Sequence, residues 1–135
     1  MYHAARGNLP KLRRQTERGA GVNERDVYGR TSLILACAFG QIECARWLIA
    51  HGADVRATDD TGRTALFEVA IGLNGNEGVA TALIEILLAH GAEVNTHDRH
   101  GRTPLSLVEQ GGSYIVSLQE REDIAKLLKA AGAIE

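Results

Sequence analysis

Hydrophobic residues recur at intervals of three and four along three stretches of the chain, residues 42–49, 83–88 and 124–128. This spacing places one apolar stripe along an amphipathic helix. Ahead of the first stretch, residues 33–37 form a run of small and apolar side chains, which favours a helix that packs on more than one side. The pattern therefore predicts inner helices that alternate with amphipathic outer helices.

Two short markers repeat in step along the chain. The tripeptide Gly-Arg-Thr begins at Gly29, Gly62 and Gly101, with spacings of 33 and 39 residues. The dipeptide Gly-Ala recurs four times, with spacings of 33, 39 and 41 residues. Two markers in step indicate a repeated unit of about 33 residues with insertions, and such a repeat is typical of a solenoid.

The helix boundaries of each unit are marked by residues suited to them. Thr31, Thr64 and Thr103 each stand where a side-chain oxygen caps the start of an inner helix. Pro104 then takes the first helical position, which proline favours. A glycine after His51, and again in the later units, is typical of the end of an outer helix.

The repeated pattern resembles that of the ankyrin-repeat family. Asp-x-x-Gly-Arg-Thr-x-Leu begins at Asp26, Asp59 and Asp98, and Gly-Ala-Asp-Val begins at Gly52. The resemblance covers essentially the whole chain and implies an all-α repeat solenoid, a stack of helix-turn-helix units joined by hairpin-like loops. The family's signature histidine is replaced by Ile34, Phe67 and Ser106. We therefore expect no Thr–His hydrogen bond, and apolar contacts at the first two positions.

We interpret the chain as one domain, residues 1–135. Its predicted units are a partial N-terminal cap at 1–25, a full unit at 26–58, a unit with an insertion at 59–97, and a terminal unit at 98–135 with an insertion and the C-terminal cap. The insertions, at 71–78 and 111–119, lie between inner and outer helices and predict longer outer helices.

Local signals in the insertions predict two helix caps. We expect Asn76 to cap a helix that starts near Glu77, and Ser117 and Glu120 to form a capping box. The apolar residues 114–116 are expected to fold back onto the stack, because monomers seldom expose such patches.

The composition argues against several classes of protein. The chain has 135 residues, is 44% hydrophobic and 24% charged, and has a net charge of −2, which indicates a soluble folded domain. Its longest apolar run, residues 33–39, is too short to span a membrane. No secretory signal begins the chain, so we expect a cytoplasmic protein, with a periplasmic or secreted location as the alternative if a leader was removed.

No set of residues in the sequence suggests catalysis, a cofactor or a metal. Phosphate loops and hydrolase motifs are missing, so we expect a protein that is not an enzyme and binds no cofactor. His51 and His90 are assigned structural roles near helix ends. His97 and His100 share one loop but lack further metal ligands. Two cysteines in apolar surroundings are interpreted as buried free thiols, Cys37 and Cys44.

Two groups of charges allow more than one interpretation. Five cations cluster in the first unit, and we interpret them as a solvated end face, with an acidic protein partner or a nucleic-acid contact as alternatives. They are Arg6, Lys11, Arg13, Arg14 and Arg18. An arginine follows each repeated aspartate, and we interpret this ladder as a structural network, with recruitment of an acidic partner as the alternative. Its arginines are Arg30, Arg63 and Arg102.

The resemblance implies a module that binds a protein partner through its hairpin tips and concave inner-helix face, and an enzyme is one candidate partner. An inhibitor or immunity-type protein that blocks an active-site cleft is the alternative, followed by a structural subunit. We expect a monomer, with Tyr28 and Phe39 as the main anchors. The candidate contact residues are Arg25, Val27, Tyr28, Ala38, Phe39, Thr58, Asp60, Thr61, Ile71, His97, Arg99 and His100.

Overall fold

The computed structural model describes residues 2–18, 21–72, 78–110 and 117–134, and the secondary structure in these ranges is helical. This confirms the predicted all-α solenoid. None of the described helices is long and apolar enough to cross a membrane. The helices are α1 (Tyr2–Ala5), α2 (Leu9–Glu17), α3 (Ser32–Ala38), α4 (Ile42–Ala50), α5 (Ala65–Ile71), α6 (Val79–Ala89), α7 (Pro104–Glu109) and α8 (Leu118–Ala130).

The helices form two stacked layers. In the inner layer, α3 packs between α1 and α5, and α5 packs in turn against α7. In the outer layer, α2, α4, α6 and α8 contact one another in the same order. The main hydrophobic core lies between the layers and runs from Ala4 to Leu128 without interruption. Each helix pair thus buries its apolar surface against its neighbours, as expected for a solenoid.

A threonine caps each of three inner helices, as the sequence predicts. The hydroxyls of Thr31, Thr64 and Thr103 accept hydrogen bonds from the amides three residues later, at 3.2, 3.4 and 3.2 Å. In the last case Ser106 returns the bond, since its hydroxyl accepts from the Thr103 amide at 2.9 Å. Ser106, which replaces the signature histidine in this unit, is therefore still hydrogen-bonded to the threonine, which we did not predict. Ile34 and Phe67, at the same position in the other two units, are buried as expected.

Both cysteines are free and buried, which confirms their interpretation. Burial raises the pKa of the Cys37 thiol to about 12, and the nearby Glu68 charge adds to this rise. Burial likewise raises the pKa of Cys44. Because the thiolate is the reactive form, neither side chain is suited to nucleophilic chemistry.

The outer helices lengthen towards the C-terminus, as the two insertions predict. Helix α4 has 9 residues, α6 has 11 and α8 has 13. Helix α6 begins at Val79, two residues after the predicted start near Glu77, and Gly78 is its cap in a left-handed conformation. The expected cap Asn76 and the expected apolar fold-back at 114–116 lie outside the described residues.

The predicted capping box at the start of α8 is wrong in one half. The Ser117 hydroxyl accepts from the Glu120 amide at 3.3 Å, as expected. The Glu120 carboxylate, however, does not return to Ser117 and accepts instead from the Gly78 amide at 2.9 Å. Glu120 is buried in this position. It joins α8 to the residue that caps α6, and so fixes two neighbouring outer helices relative to each other.

We expect the free energy of unfolding of a Glu120→Ala variant to be about 1–2 kcal/mol lower than that of the wild type. The variant loses a charge-assisted hydrogen bond between two helices and leaves the Gly78 amide without its acceptor. Urea denaturation measures the difference, and Glu122→Ala on the exposed side of the same helix is the control. If both variants lose the same free energy of unfolding, the hydrogen bond to Gly78 contributes nothing beyond the general effect of a Glu-to-Ala substitution in a helix.

Candidate functional site: hairpin tips and inner helices

The hairpins that precede the inner helices are closed by one aspartate each. One Asp26 carboxylate oxygen accepts from the amides of Tyr28 and Arg30, both at 2.9 Å, and the other accepts from Arg30 Nε at 2.8 Å. Gly29 has a φ of 76°, which favours glycine, and a Cβ there would lie 2.4 Å from Asp60 Oδ1. The tip is therefore both tightly turned and packed against the next tip.

Main-chain hydrogen bonds tie successive tips together. The Asp60 amide donates to the Tyr28 carbonyl at 3.0 Å, and the Arg99 amide donates to the Thr61 carbonyl at 3.0 Å. The guanidinium of Arg99 also donates to the Asp60 carbonyl at 3.0 Å, and that of Arg25 donates to the Thr58 carbonyl. The tips therefore form one continuous edge. Arg25 and Arg99, which we predicted as contact residues, also connect neighbouring tips within it.

The other tip residues differ in how far they reach into solvent. Val27 is 84% exposed and Tyr28 is 62% exposed. Thr58 and Thr61 are half-buried, and the Thr61 hydroxyl donates to Asp59 at 2.7 Å. The remaining three candidates are exposed and available for contact, namely Asp60, His97 and His100.

On the inner helices the structure supports two of three candidates and corrects the third. Phe39, directly after α3, is 57% exposed, and Ala38 is half-buried. Ile71 is only 7% exposed, because it packs with Phe67 and Leu107 in a small cluster between α5 and α7. Ile71 is therefore a packing residue, and its assignment as a partner contact is wrong.

Tyr2, which the sequence analysis did not select, lies on α1, and α1 packs against α3, the helix that follows the Tyr28 hairpin. The Arg30 guanidinium lies 4.9 Å from the centroid of the Tyr28 ring. Its hydrogen bond to Asp26 is the main cause of a raised pKa for Arg30, against the effect of burial, and electrostatic interactions with Tyr2 and Tyr28 add to the rise. Tyr2 is 61% exposed. The sequence could have suggested Tyr2 as a candidate, because it is an aromatic residue at the start of the first inner helix.

Glu68 on α5 is a second residue that the sequence analysis did not select. It is half-buried, and burial raises the pKa of its carboxyl group; the negative Asp59 adds to this effect, while the positive Arg63 and Arg30 oppose it. Aligning the units on their threonines would have found it. The corresponding position holds a leucine in the units before and after.

The arginine ladder supports the structural interpretation over recruitment of an acidic partner. Arg30 pairs with Asp26 at 2.7 Å, and Arg102 pairs with Asp98 at 2.8 Å, within their own hairpins. Arg63 instead points to Asp98 of the next hairpin at 3.6 Å, and its buried Nε donates no hydrogen bond in the described part of the chain. Asp98 thus serves two hairpins at once.

The histidines near helix ends make local contacts. The Nδ1 atom of His51 lies 2.7 Å from the Trp47 carbonyl, and that of His90 lies 2.8 Å from the Ile86 carbonyl. The His51 ring also stacks on Trp47, with centroids 4.0 Å apart. These contacts support the structural roles assigned to both. Among the described residues, no group of three His, Cys, Asp or Glu side chains is placed to hold a metal ion.

The basic cluster of the first unit lies on exposed positions in and near α2. Glu17 is the acidic residue of this helix. The alternatives of a solvated end face, an acidic partner and a nucleic-acid contact stay open for these five residues.

The stacked helix pairs and the hydrogen-bonded hairpin tips define a helical repeat protein. The family model described as ankyrin repeats in three copies matches residues 1–85, and the chain belongs to this family. Ankyrin repeats are protein–protein interaction modules.

Known relatives agree with this assignment. The chain is 43% identical over 56 residues to human protein phosphatase 1 regulatory subunit 27, covering 42% of this chain and 36% of that protein. It is 49% identical over 47 residues to mouse ankyrin repeat domain-containing protein 13B, covering 35% and 8%. A crystal structure of an ankyrin repeat domain from Acinetobacter baumannii AYE has 35% identity and a TM-score of 0.85, covering 98% of this chain and 63% of that one. The chain spans less than two thirds of each relative.

Proposed function

We propose that this chain is a non-catalytic module that binds a protein partner through its hairpin tips and inner helices. One observation carries the proposal. Four large apolar side chains are exposed on the tips and inner helices of the first two helix pairs, namely Tyr2, Val27, Tyr28 and Phe39. In the described parts of α2, α4 and α6, no large apolar side chain is exposed in this way.

The kinds of side chain on this surface suit protein recognition. Tyrosine and arginine are enriched among the residues that dominate binding energy, and Tyr28 and Arg30 lie in contact there. Asp26 holds the Arg30 side chain, and a hydrogen bond from the Asp60 amide holds the main chain of Tyr28, so the backbone of the tip and the Arg30 side chain lose little freedom on binding. The surface is pre-organised for a partner.

An inhibitory role is the second candidate. Val27 projects from a tip that neighbouring tips hold in place, which suits insertion into a cleft. A relative named as a regulatory subunit of protein phosphatase 1 supports an enzyme as the partner. An activity assay of the captured partner, with and without this chain, separates inhibition from simple binding. The monomeric state and the cytoplasmic location stay predictions.

A Tyr28→Ala, Phe39→Ala double variant is expected to bind the partner at least roughly tenfold more weakly, because it removes two exposed anchors. Its melting temperature should stay within about 2 °C of the wild type, since both side chains are more than half exposed. Affinity capture from the source cells, followed by titration of the captured protein, measures the loss.

The chain offers a matched control in Leu118 and Ile134, which are 75% and 73% exposed but lie at α8 and after it. A Leu118→Ala, Ile134→Ala variant should capture the partner as the wild type does. If this control loses the partner and the Tyr28, Phe39 variant keeps it, the binding surface is at the C-terminal end and the proposal is wrong.

A further inference from the structure

We infer that Glu68 sets the charge preference of the binding surface, by pairing with a basic side chain of the protein partner. This inference rests on the proposed function and adds the chemistry of the partner to it.

Glu68 occupies a position that the other units fill with a buried leucine. It lies four residues after Thr64, as Leu35 and Leu107 lie four residues after their capping threonines. Leu35 is 2% exposed and Leu107 is 3% exposed. Both neighbouring units thus bury a leucine where this unit has a carboxyl group. A residue that departs from the local packing pattern is a candidate for function.

Glu68 is only half-buried between α3 and α5, whereas Leu107, its counterpart between α5 and α7, is 3% exposed. Between α5 and α7, Phe67 and Ile71 pack against Leu107. The same register places Ile34 and Ala38 of α3 beside Glu68. Alanine lacks three of the carbon atoms with which isoleucine covers its neighbour. Both Ala38 and Glu68 are half-buried, and we expect a partner side chain to reach the carboxylate beside Ala38.

The two arginines whose charges act on Glu68 are both directed at aspartates of the hairpins. Arg30 is engaged by Asp26 at 2.7 Å, and Arg63 points to Asp98 at 3.6 Å.

Asp59, the other acid near Glu68, is held by the amides of Thr61 and Arg63 and by the Thr61 hydroxyl. Within the described ranges, the Glu68 carboxylate makes no hydrogen bond or ion pair. A partly desolvated carboxylate that feels the charges of Arg63 and Arg30 but has no hydrogen-bond or ion-pair partner is stabilised further by an incoming guanidinium or ammonium group.

Glu68 and the tyrosines of the proposed surface lie on neighbouring elements of the stack. Helix α5, which carries Glu68, packs against α3, and α3 packs against α1, which carries Tyr2. Tyr28 lies in the hairpin that precedes α3, where its ring contacts Arg30. We expect a single partner segment to place an apolar or aromatic group on the tyrosines and a lysine or arginine at Glu68.

Selection of peptides from a displayed random library on the wild-type protein tests the inference. The selected peptides should share a lysine or arginine, and one such peptide then serves as the probe. Its affinity should fall at least roughly tenfold for Glu68→Gln, which keeps the size of the side chain and removes the charge. Glu85→Gln, at an exposed acid on α6, is the matched control and should bind as the wild type does.

Replacing the basic residue of the peptide by norleucine should abolish the difference between wild type and Glu68→Gln. Selected peptides without a common basic residue, or equal affinity for both proteins, would overturn the inference. The Tyr28→Ala, Phe39→Ala variant separates the two levels of the proposal. If it loses the peptide and Glu68→Gln does not, the inference fails alone; if both bind fully, the proposed surface fails as well.

Discussion

The free energy of unfolding of an Asp98→Ala variant is expected to be about 2–3 kcal/mol lower than that of the wild type. The Asp98 side chain has no solvent exposure, and its carboxylate accepts from the amides of His100 and Arg102 at 2.9 and 3.0 Å. It also pairs with Arg102 at 2.8 Å and with Arg63 at 3.6 Å. The variant leaves two amides without an acceptor and two arginines without a counter-ion.

Urea denaturation near pH 7 measures this loss, and Asp60→Ala, at an exposed tip position, is the control with an expected change below about 0.5 kcal/mol. A loss no larger in Asp98→Ala than in the control would show that the ladder is not structural. Arg63→Ala should lose less than Asp98→Ala, since Asp98 keeps its pair with Arg102.

The effect of Asp98 should depend on pH. Burial acts to raise the pKa of Asp98, but hydrogen bonds from Arg102 and His100 outweigh it, so the pKa lies below its ordinary value of 3.8. A carboxyl group whose pKa is lowered in the folded state stabilises the fold at pH values above its pKa in the unfolded state. This stabilisation is lost as the pH falls through its pKa in the folded state. The difference between wild type and Asp98→Ala should therefore narrow below pH 3.8.

Features that depend on nearby residues could be predicted from the sequence. The threonine caps, the helix layers and the hairpins follow from short spacings, because the residues that form them lie within one unit. The exposure of Tyr28 and Phe39 also follows, since their positions in the repeat point away from the stack. Local chemistry therefore determined most of the fold and part of the surface.

Features that depend on a neighbouring unit could not be predicted in the same way. Glu120 has a local partner in the sequence, but in the fold the Gly78 amide, 42 residues away, is its hydrogen-bond donor. The sequence of α5 alone suggests that Ile71 is exposed, but Leu107 of the next inner helix, α7, covers it. Arg63 similarly turns from its own hairpin to Asp98. Contacts between units depend on insertions and side-chain directions that one unit does not encode.

A Glu68→Leu variant is expected to be more stable than the wild type by about 1–2 kcal/mol at pH 7. The leucine restores the residue type that is buried at the same position in the units on either side, and it removes a partly desolvated charge. Chemical denaturation measures the gain, and Glu85→Leu on the exposed side of α6 should show none. A destabilised variant would mean that the carboxylate has a folding role.

The pH dependence of this gain identifies its cause. Burial raises the pKa of Glu68 above its ordinary value of 4.5 in the folded state. The group therefore costs the wild type stability as the pH rises from 4.5 through the raised value, and the cost is constant above it. The advantage of Glu68→Leu should grow over that interval and then level off. A variant that is more stable and yet binds more weakly would show that the stack keeps this carboxylate for recognition and not for folding.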